Sequence, residues 1–427
     1  MKKLLFFLIF PCAIFAQKNK ILLLNGYLHV GNGQTMETAL IGIENGKISM
    51  IGNALTTKID KKYWDTIISL DGQHVYPGFV APNSTLGLTE IDAVRATRDF
   101  NDVGIFNPHV RSQIAYNVES KVMETVRTNG VLITQSTPRG GSISGTSSVM
   151  FLNGWNWEDA TLLKDDGIHV NWPSSLEGGG WWAEPAPKKR NENYEKAKQE
   201  LIDFFEMAQA YSADKPIKTD QRLEAMKIFF QKESTARVYF HASELQQILD
   251  VIDFANKFNL KFPVIVGGYD AHLAGKRLKD AKIPVMLQRL HSLPENEEDA
   301  VDLPFKLPSL LQKEGIKFCL QNEGDMEVMH TRNLPFLAGT AMAYGLSEEE
   351  AIRSVSLSPC EILGIDKNYG SIEVGKSATL FVSKGSALDM KSNQLTLILS
   401  NGKFVSTDNF QTKLFNKYQD KYIKDKQ

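Results

Sequence analysis

Two rhythms of apolar and polar residues divide the chain. Near the start, short apolar runs (Ile21–Leu24, Ala39–Glu44, Lys47–Ile51) are broken by Asn25-Gly26 and Asn45-Gly46. Asn-Gly between apolar runs is a strong hairpin signal, so residues 20–76 read as short β-strands with tight turns. The same rhythm returns at the end, in Gly370 to Val382, Leu395–Leu399, Asn401-Gly402 and Phe404-Val405. Between these ends, strand-like runs (Val131–Thr134, Val238–Phe240, Pro263–Val266, Pro284–Leu287, Lys317–Leu320) alternate with helical patterns. Leu245, Ile248, Leu249, Ile252 and Ala255 share one helical face, and Ser347 with Glu350 forms a capping box. Strands alternating with helices over 78–365 predict an α/β fold, a (β/α)8 TIM barrel. A β-sandwich domain built from 17–77 and 366–406 joins the two rhythms. Residues 407–427, rich in lysine, are expected to form a terminal helix or tail without catalytic residues.

Composition narrows the class. The 427 residues are 42% hydrophobic and 23% charged, which excludes a disordered chain, a collagen-like chain and a small disulfide scaffold. A net charge of −2 gives no electrostatic case for nucleic acid or an acidic membrane. Beyond residue 16 no apolar run approaches the roughly 18 residues a membrane span needs. Lys2 and Lys3 precede an apolar run from Leu4 to Ala16, and Gln17 opens a polar stretch. That order predicts a signal peptide over 1–16, cut at Ala16/Gln17, and export to a periplasmic or extracellular space. The bland alternative is a buried N-terminal helix, which Pro11 and the short run disfavour. Pro11 also disfavours lipid attachment at Cys12. Cys319 and Cys360 would then remain, and their apolar surroundings predict two buried thiols rather than a bridge.

Two further segments stand out. Pro138 to Ser148 is glycine- and serine-rich and reads as a loop after the Val131–Thr134 strand; without Gly-Lys-Ser/Thr and a following helix it is not a phosphate loop. Five of the six tryptophans (Trp155, Trp157, Trp172, Trp181, Trp182) follow it, with Lys188-Lys189-Arg190 after them. They suit a lid over a pocket, a hairpin with its own small core or an oligomer contact, and the basic run suits a solvated helix start.

Several motifs carry a family likeness. Asn25-Gly26, Ile43 to Ile48 and Val75 to Val80 resemble the opening of amidohydrolase-superfamily proteins. Gly345-Leu346-Ser347, Ser358 to Gly364, Gly370 to Lys376 and Asn401-Gly402-Lys403 match its end, and the imidazolonepropionase-like branch is the most similar. The resemblance implies a metal-dependent TIM barrel that hydrolyses C–N bonds in amides, cyclic amides or dipeptides, with zinc as cofactor.

The ligand positions depart from that pattern. Where the family has Pro-Gly-x-x-Asp and then His-x-His, this chain has Ala81, Asn83 and Thr85. Gly267 takes the place of the sixth-strand histidine. His241 matches the fifth-strand histidine, and Glu323, or else Asp325, matches the catalytic aspartate. Amide and hydroxyl oxygens are weak zinc ligands, and a catalytic zinc generally needs three protein ligands plus water. The expected site therefore holds no metal. His241 and Glu323 remain as catalytic candidates, with Asn83, Thr85 and Gly267 as binding positions, all at the C-terminal mouth of the barrel. His109, His272, Asp270 or Asp325 could overturn this by completing a three-ligand set. His169, His109, His272 and His330 default to structural or surface roles.

Two readings follow. The first is a pseudoenzyme that keeps its pocket for an amide or peptide-like small molecule, or serves as a partner subunit, as a homodimer or paired with an active relative. The second is an active C–N hydrolase with an unorthodox site.

Overall fold

The computed structural model describes residues 20–181, 184–213, 218–324 and 326–424, with the backbone alone for 179–181, 185–186 and 424. The leader expected over 1–16 lies outside the described residues.

Five strands open the chain: β1 (Lys20–His29), β2 (Thr35–Glu44), β3 (Lys47–Asn53), β4 (Thr66–Ser69) and β5 (His74–Pro77). Asn45-Gly46 forms the expected two-residue turn, since Glu44 pairs with Lys47 and both turn residues have positive φ. Asn25-Gly26 does not. Leu24 and Gly26 pair with the adjacent Leu40 and Ala39, so Asn25 is the extra residue of a bulge inside β1. The reason is tertiary. Gly26 is wedged against Leu70 and Val75, where a Cβ would stand 2.8 Å and 2.9 Å from them, and β1 must run on to pair with β5.

The barrel strands are β6 (Phe79–Ser84), β7 (Val131–Ser136), β8 (Ile143–Phe151) and β9 (Thr161–Asn171). A separate hairpin, β10 (Leu176–Trp181) with β11 (Glu184–Arg190), precedes β12 (Arg237–Ala242), β13 (Pro263–Gly267), β14 (Val285–Leu287) and β15 (Phe318–Leu320). The sheet runs β6-β7-β8-β9-β12-β13-β14-β15 and nearly closes on itself. Its neighbours are parallel except around β8, which is antiparallel to both β7 and β9. Only residues 137–142 join β7 to β8, too few for a crossover helix, so the chain turns straight back. The second half of the segment expected as a loop is thus a strand. Lys188-Lys189-Arg190, expected at a helix start, lies in β11.

After the barrel, β16 (Leu380–Ser383), β17 (Leu395–Ser400) and β18 (Lys403–Val405) rejoin the first sheet. Its order is β18-β17-β16-β5-β1-β2-β3, with β4 on β1, so both chain ends build one sheet. Asn401-Gly402 turns between β17 and β18, and its tip meets the Asn45-Gly46 turn: a Cβ on Gly402 would stand 2.5 Å from Gly46 Cα. One face buries Ile21, Leu23, Leu28, Ile41 and Leu380. The other covers Leu22 and Leu40 with Trp64.

Alternation along the barrel strands sorts the interior into levels. Val80, Ile133, Tyr239, Val264 and Cys319 form an apolar level, closed below by Cys360, Ile362 and Leu363 of the helix Leu357–Leu363. Cys319 and Cys360 are buried free thiols, as expected. Two residues further towards the C-terminal ends, the interior side chains become polar, at Gln135, His241 and Gln321. The Leu245–Lys257 helix buries the predicted face, and the Ser347–Glu350 capping box forms.

Phe381 of β16 locks the terminal sheet to the barrel. It stacks on Tyr76 at 5.3 Å, meets Phe79 edge-on at 5.0 Å and leaves no room for a side chain at Gly130. Phe381→Ala is expected to cost about 3–5 kcal/mol of unfolding free energy, read from urea denaturation, because it empties a fully buried ring site.

Candidate functional site

The C-terminal ends of the barrel strands gather the five sequence-nominated positions. Asn83 lies at the end of β6 and Thr85 directly after it, His241 lies in β12 and Gly267 at the end of β13, and Glu323 follows β15. Asn83 Nδ2 donates to Glu323 Oε2 at 2.8 Å, and His241 Nδ1 lies 3.6 Å from Glu323 Oε1. His241, Gly267 and Glu323 line one cavity of about 440 Å³; Thr85 and Glu323 line a neighbouring one of about 680 Å³. The two cavities meet at Glu323. Asp325 lies outside the described residues.

The charge at the centre comes from a residue that sequence reasoning missed. Arg139, in the turn between β7 and β8, donates from Nη1 to Asn83 Oδ1 at 2.7 Å and from Nη2 to the Asn83 carbonyl at 2.9 Å. Nη2 also lies 3.1 Å from both carboxylate oxygens of Glu327. Glu327 in turn accepts from the backbone N–H of Thr85 at 2.9 Å. β6 and β15 do not pair through their backbones, so these side chains close the seam at the mouth.

Behind His241 runs a buried relay. Asp166 accepts from Tyr239 OH at 2.5 Å, Gln135 Nε2 at 2.8 Å and Ser147 Oγ at 2.8 Å. With its proton on Asp166, Ser147 Oγ accepts from His169 Nε2 at 3.0 Å. His169 Nδ1 is then the acceptor for His241 Nε2, also at 3.0 Å. His241 thus presents Nδ1 to Glu323. Burial, then His241 and Arg139, hold His169 well below the ordinary histidine range. Burial alone would raise Glu323, but the Arg139 guanidinium, His241 and the Asn83 amide outweigh it and hold its carboxyl at about 2, against an ordinary 4.5.

His169, expected in a structural or surface role, is an interior residue of β9 and is fully buried. Its alternation with Gly167 and Asn171 was the available signal. Arg139 lies in the glycine- and serine-rich segment that the sequence singled out, and by resemblance that segment suits a loop beside the substrate. Neither it nor Glu327 is marked individually, because each sits in a turn or one-turn helix whose partners are distant in sequence.

The donor chemistry does not fit zinc. Asn83 Oδ1 already faces a guanidinium, Glu323 Oε2 accepts from the Asn83 amide, His241 Nε2 is committed to His169, and Gly267 has no side chain. Gly267 also has φ +102°, and a Cβ there would stand 2.5 Å from Ser243 Oγ, so the backbone itself is shaped for glycine. His272 Nδ1 lies 3.2 Å from the Tyr269 carbonyl, and Asp270 accepts from the Leu245 N–H at 2.9 Å. Among the described residues, no three His, Cys, Asp or Glu side chains are placed to hold a metal.

The larger cavity has mainly apolar walls, including Ile91, Phe100 and Met329, and on it borders Thr85 Oγ1, buried without a hydrogen-bond partner. The described tryptophans share no platform. Trp172 is buried and donates to Tyr194 OH at 3.1 Å, Trp157 packs on the main core, and Trp155 is exposed. Trp182 lies outside the described residues. The hairpin does reach the mouth, where Lys188 Nζ donates to the Glu295 carbonyl at 3.0 Å beside the smaller cavity.

Comparison with known proteins places this geometry. Residues 196–414 match the amidohydrolase family. An amidohydrolase from Thermotoga maritima MSB8 is similar in structure, with TM-score 0.76, 24% identity and coverage of 90% of this chain and 99% of that one. A prolidase complexed with N-methylphosphonate-L-proline (TM-score 0.54, 14% identity, 91% and 100% covered) shares the fold. So does a Xaa-Pro dipeptidase with bound methionine (TM-score 0.53, 14% identity, 91% and 100% covered). No curated relative matches by sequence.

Arg139→Met is expected to destabilise the protein by about 3 kcal/mol in urea denaturation, because it leaves Glu327 buried and unpaired; Arg139→Met with Glu327→Leu should recover most of that loss. Acid should act through Glu323. Its folded-state value lies below its unfolded one, so its contribution is complete above about pH 4.5 and is lost as pH falls towards 2. The stability gap between the natural protein and Glu323→Gln should therefore shrink as urea denaturation is moved from about pH 7 to about pH 2.5.

Proposed function

We propose, from the premise that this chain belongs to the amidohydrolase family, whose imidazolonepropionase-like branch fits it, that it is a metal-independent member. It has lost the family's hydrolysis and keeps its barrel mouth to bind a small amide- or peptide-like molecule, alone or as a partner subunit. One observation carries this reading: the Arg139 guanidinium is fixed against Asn83 and Glu327 beside Glu323, so a permanent cation already stands among the positions matching the family's ligands. A divalent ion entering there would meet like charge and a set of committed donors. The glycine-only backbone at Gly267 adds to it, since one substitution to histidine would not restore a ligand.

The cleft supports binding. Thr85 Oγ1 offers an unused hydroxyl, Glu323 an ionised oxygen, and the walls an apolar surface, which together suit a small polar molecule with an apolar side group. Export is part of the proposal and rests on the Lys2-Lys3 and Leu4–Ala16 pattern. Among the described residues no helix is long and apolar enough to cross a membrane.

A second reading has one observation in its favour. The Asp166–Ser147–His169–His241 relay orients a histidine towards a carboxylate at an open cleft, an arrangement that could move protons in a C–N hydrolysis without metal.

Metal analysis separates these readings from the family's usual chemistry. After incubation with zinc and dialysis, the protein is expected to retain substoichiometric metal and to leave N-acyl amino acids, dipeptides and cyclic amides intact. Stoichiometric zinc would overturn the metal-independent reading. Turnover abolished by His241→Ala, without metal, would replace the first reading with the second.

A further inference from the structure

At the opposite end of the barrel, where β12 to β15 begin, lies a cavity of about 380 Å³. Its floor is apolar, built from Val264, Leu278, Ile283, Ile316 and Ile362. Its rim is basic: Arg237, Lys261, Lys279, Lys282 and Lys317 face a single carboxylate, Glu361. Glu361 is already engaged, 3.0 Å from Lys317 and 2.7 Å from Arg353. Lys261, Lys279 and Lys282 make no ion pair or side-chain hydrogen bond among the described residues.

Arg237 is the decisive member. It is only 9% exposed, yet no carboxylate lies within ion-pair distance among the described residues. It is held by carbonyls alone, donating from Nε to Ile362 at 2.6 Å and from Nη1 to Thr235 at 2.8 Å. The Phe262 ring, 41% exposed, covers it at 5.5 Å. A nearly buried guanidinium whose charge is met only at longer range, by the buried Asp166, favours an anion that can approach it directly. Lysines converging on a concave, low-dielectric wall add a focused positive potential there.

We propose that this cavity binds a small organic anion, one oxyanion group on an apolar body about the size of a substituted ring. The volume lies at the lower end of the roughly 300–1,000 Å³ range of small-molecule sites, which limits the body to that size. The apolar floor buries the body and Arg237 with the lysines neutralises the head. A free inorganic anion would lack the first contribution, and a neutral compound of the same shape the second. The site is remote from the mouth and does not depend on the reading given for it.

Calorimetric titration of the full chain with phenylbutyrate, phenylbutanol and inorganic phosphate tests this. Phenylbutyrate should bind at least about tenfold more tightly than either of the others. Its affinity should fall by about tenfold or more in Lys279→Gln/Lys282→Gln, whose exposed positions leave the fold intact, and should weaken with added salt. Arg237→Met should abolish binding, but it also breaks two carbonyl contacts, so the double lysine variant carries the test. Absence of phenylbutyrate binding at millimolar concentration, equal binding of phenylbutanol, or unchanged affinity in the double variant would each overturn the proposal.

Discussion

The barrel mouth depends on one buried ion pair, Arg139 with Glu327. β6 and β15 meet there without a backbone ladder, and the pair ties the turn after β7 to the segment after β15 while gripping Asn83 between them. Burial makes the arrangement all-or-none. Each charge is affordable inside only because the other is present and because the remaining donors and acceptors are filled by Asn83, Thr85 and Gly324. Remove one partner and the seam, the left-handed backbone at Asn83 and the placement of Glu323 lose their support together.

The same cation sets the electrostatics of the cleft. It keeps Glu323 ionised despite its partial burial, and Glu323 in turn faces His241 Nδ1, whose other ring nitrogen meets His169. Behind them the relay to Asp166 fixes one tautomer after another, so the interior of the mouth is a single hydrogen-bonded unit rather than a set of independent side chains. The internal guanidinium places a fixed positive charge beside Asn83 and Glu323, held by hydrogen bonds within the protein itself.

The two ends of the barrel thus solve opposite problems. At the mouth, the central cation is paired with Glu327, and its other donors are filled by Asn83. At the base, an apolar cavity is ringed by cations with one committed carboxylate, and Arg237 is held by two carbonyl oxygens under the Phe262 ring, with no carboxylate in ion-pair reach among the described residues. Between them lies the apolar level of Val80, Ile133, Tyr239 and Cys319, which separates one end from the other.

Local signals determined a great deal of this protein. The period-two runs and the Asn45-Gly46 and Asn401-Gly402 turns wrote the terminal sheet, the helical face from Leu245 to Ala255 wrote a barrel helix, and motifs resembling the family's nominated Asn83, Thr85, His241, Gly267 and Glu323. Each of these depends on neighbours a few residues apart or on a motif read in one place. Tertiary structure decided the rest. Asn25-Gly26 became a bulge because β1 had to reach β5, β8 turned antiparallel because its connection is too short to cross over, and His169 proved interior because of the strand beside it. Arg139 and Glu327 are 188 residues apart. Nothing local marks either one, since the energy that makes them central, a charge pair shielded from water, exists only once the barrel has closed around them.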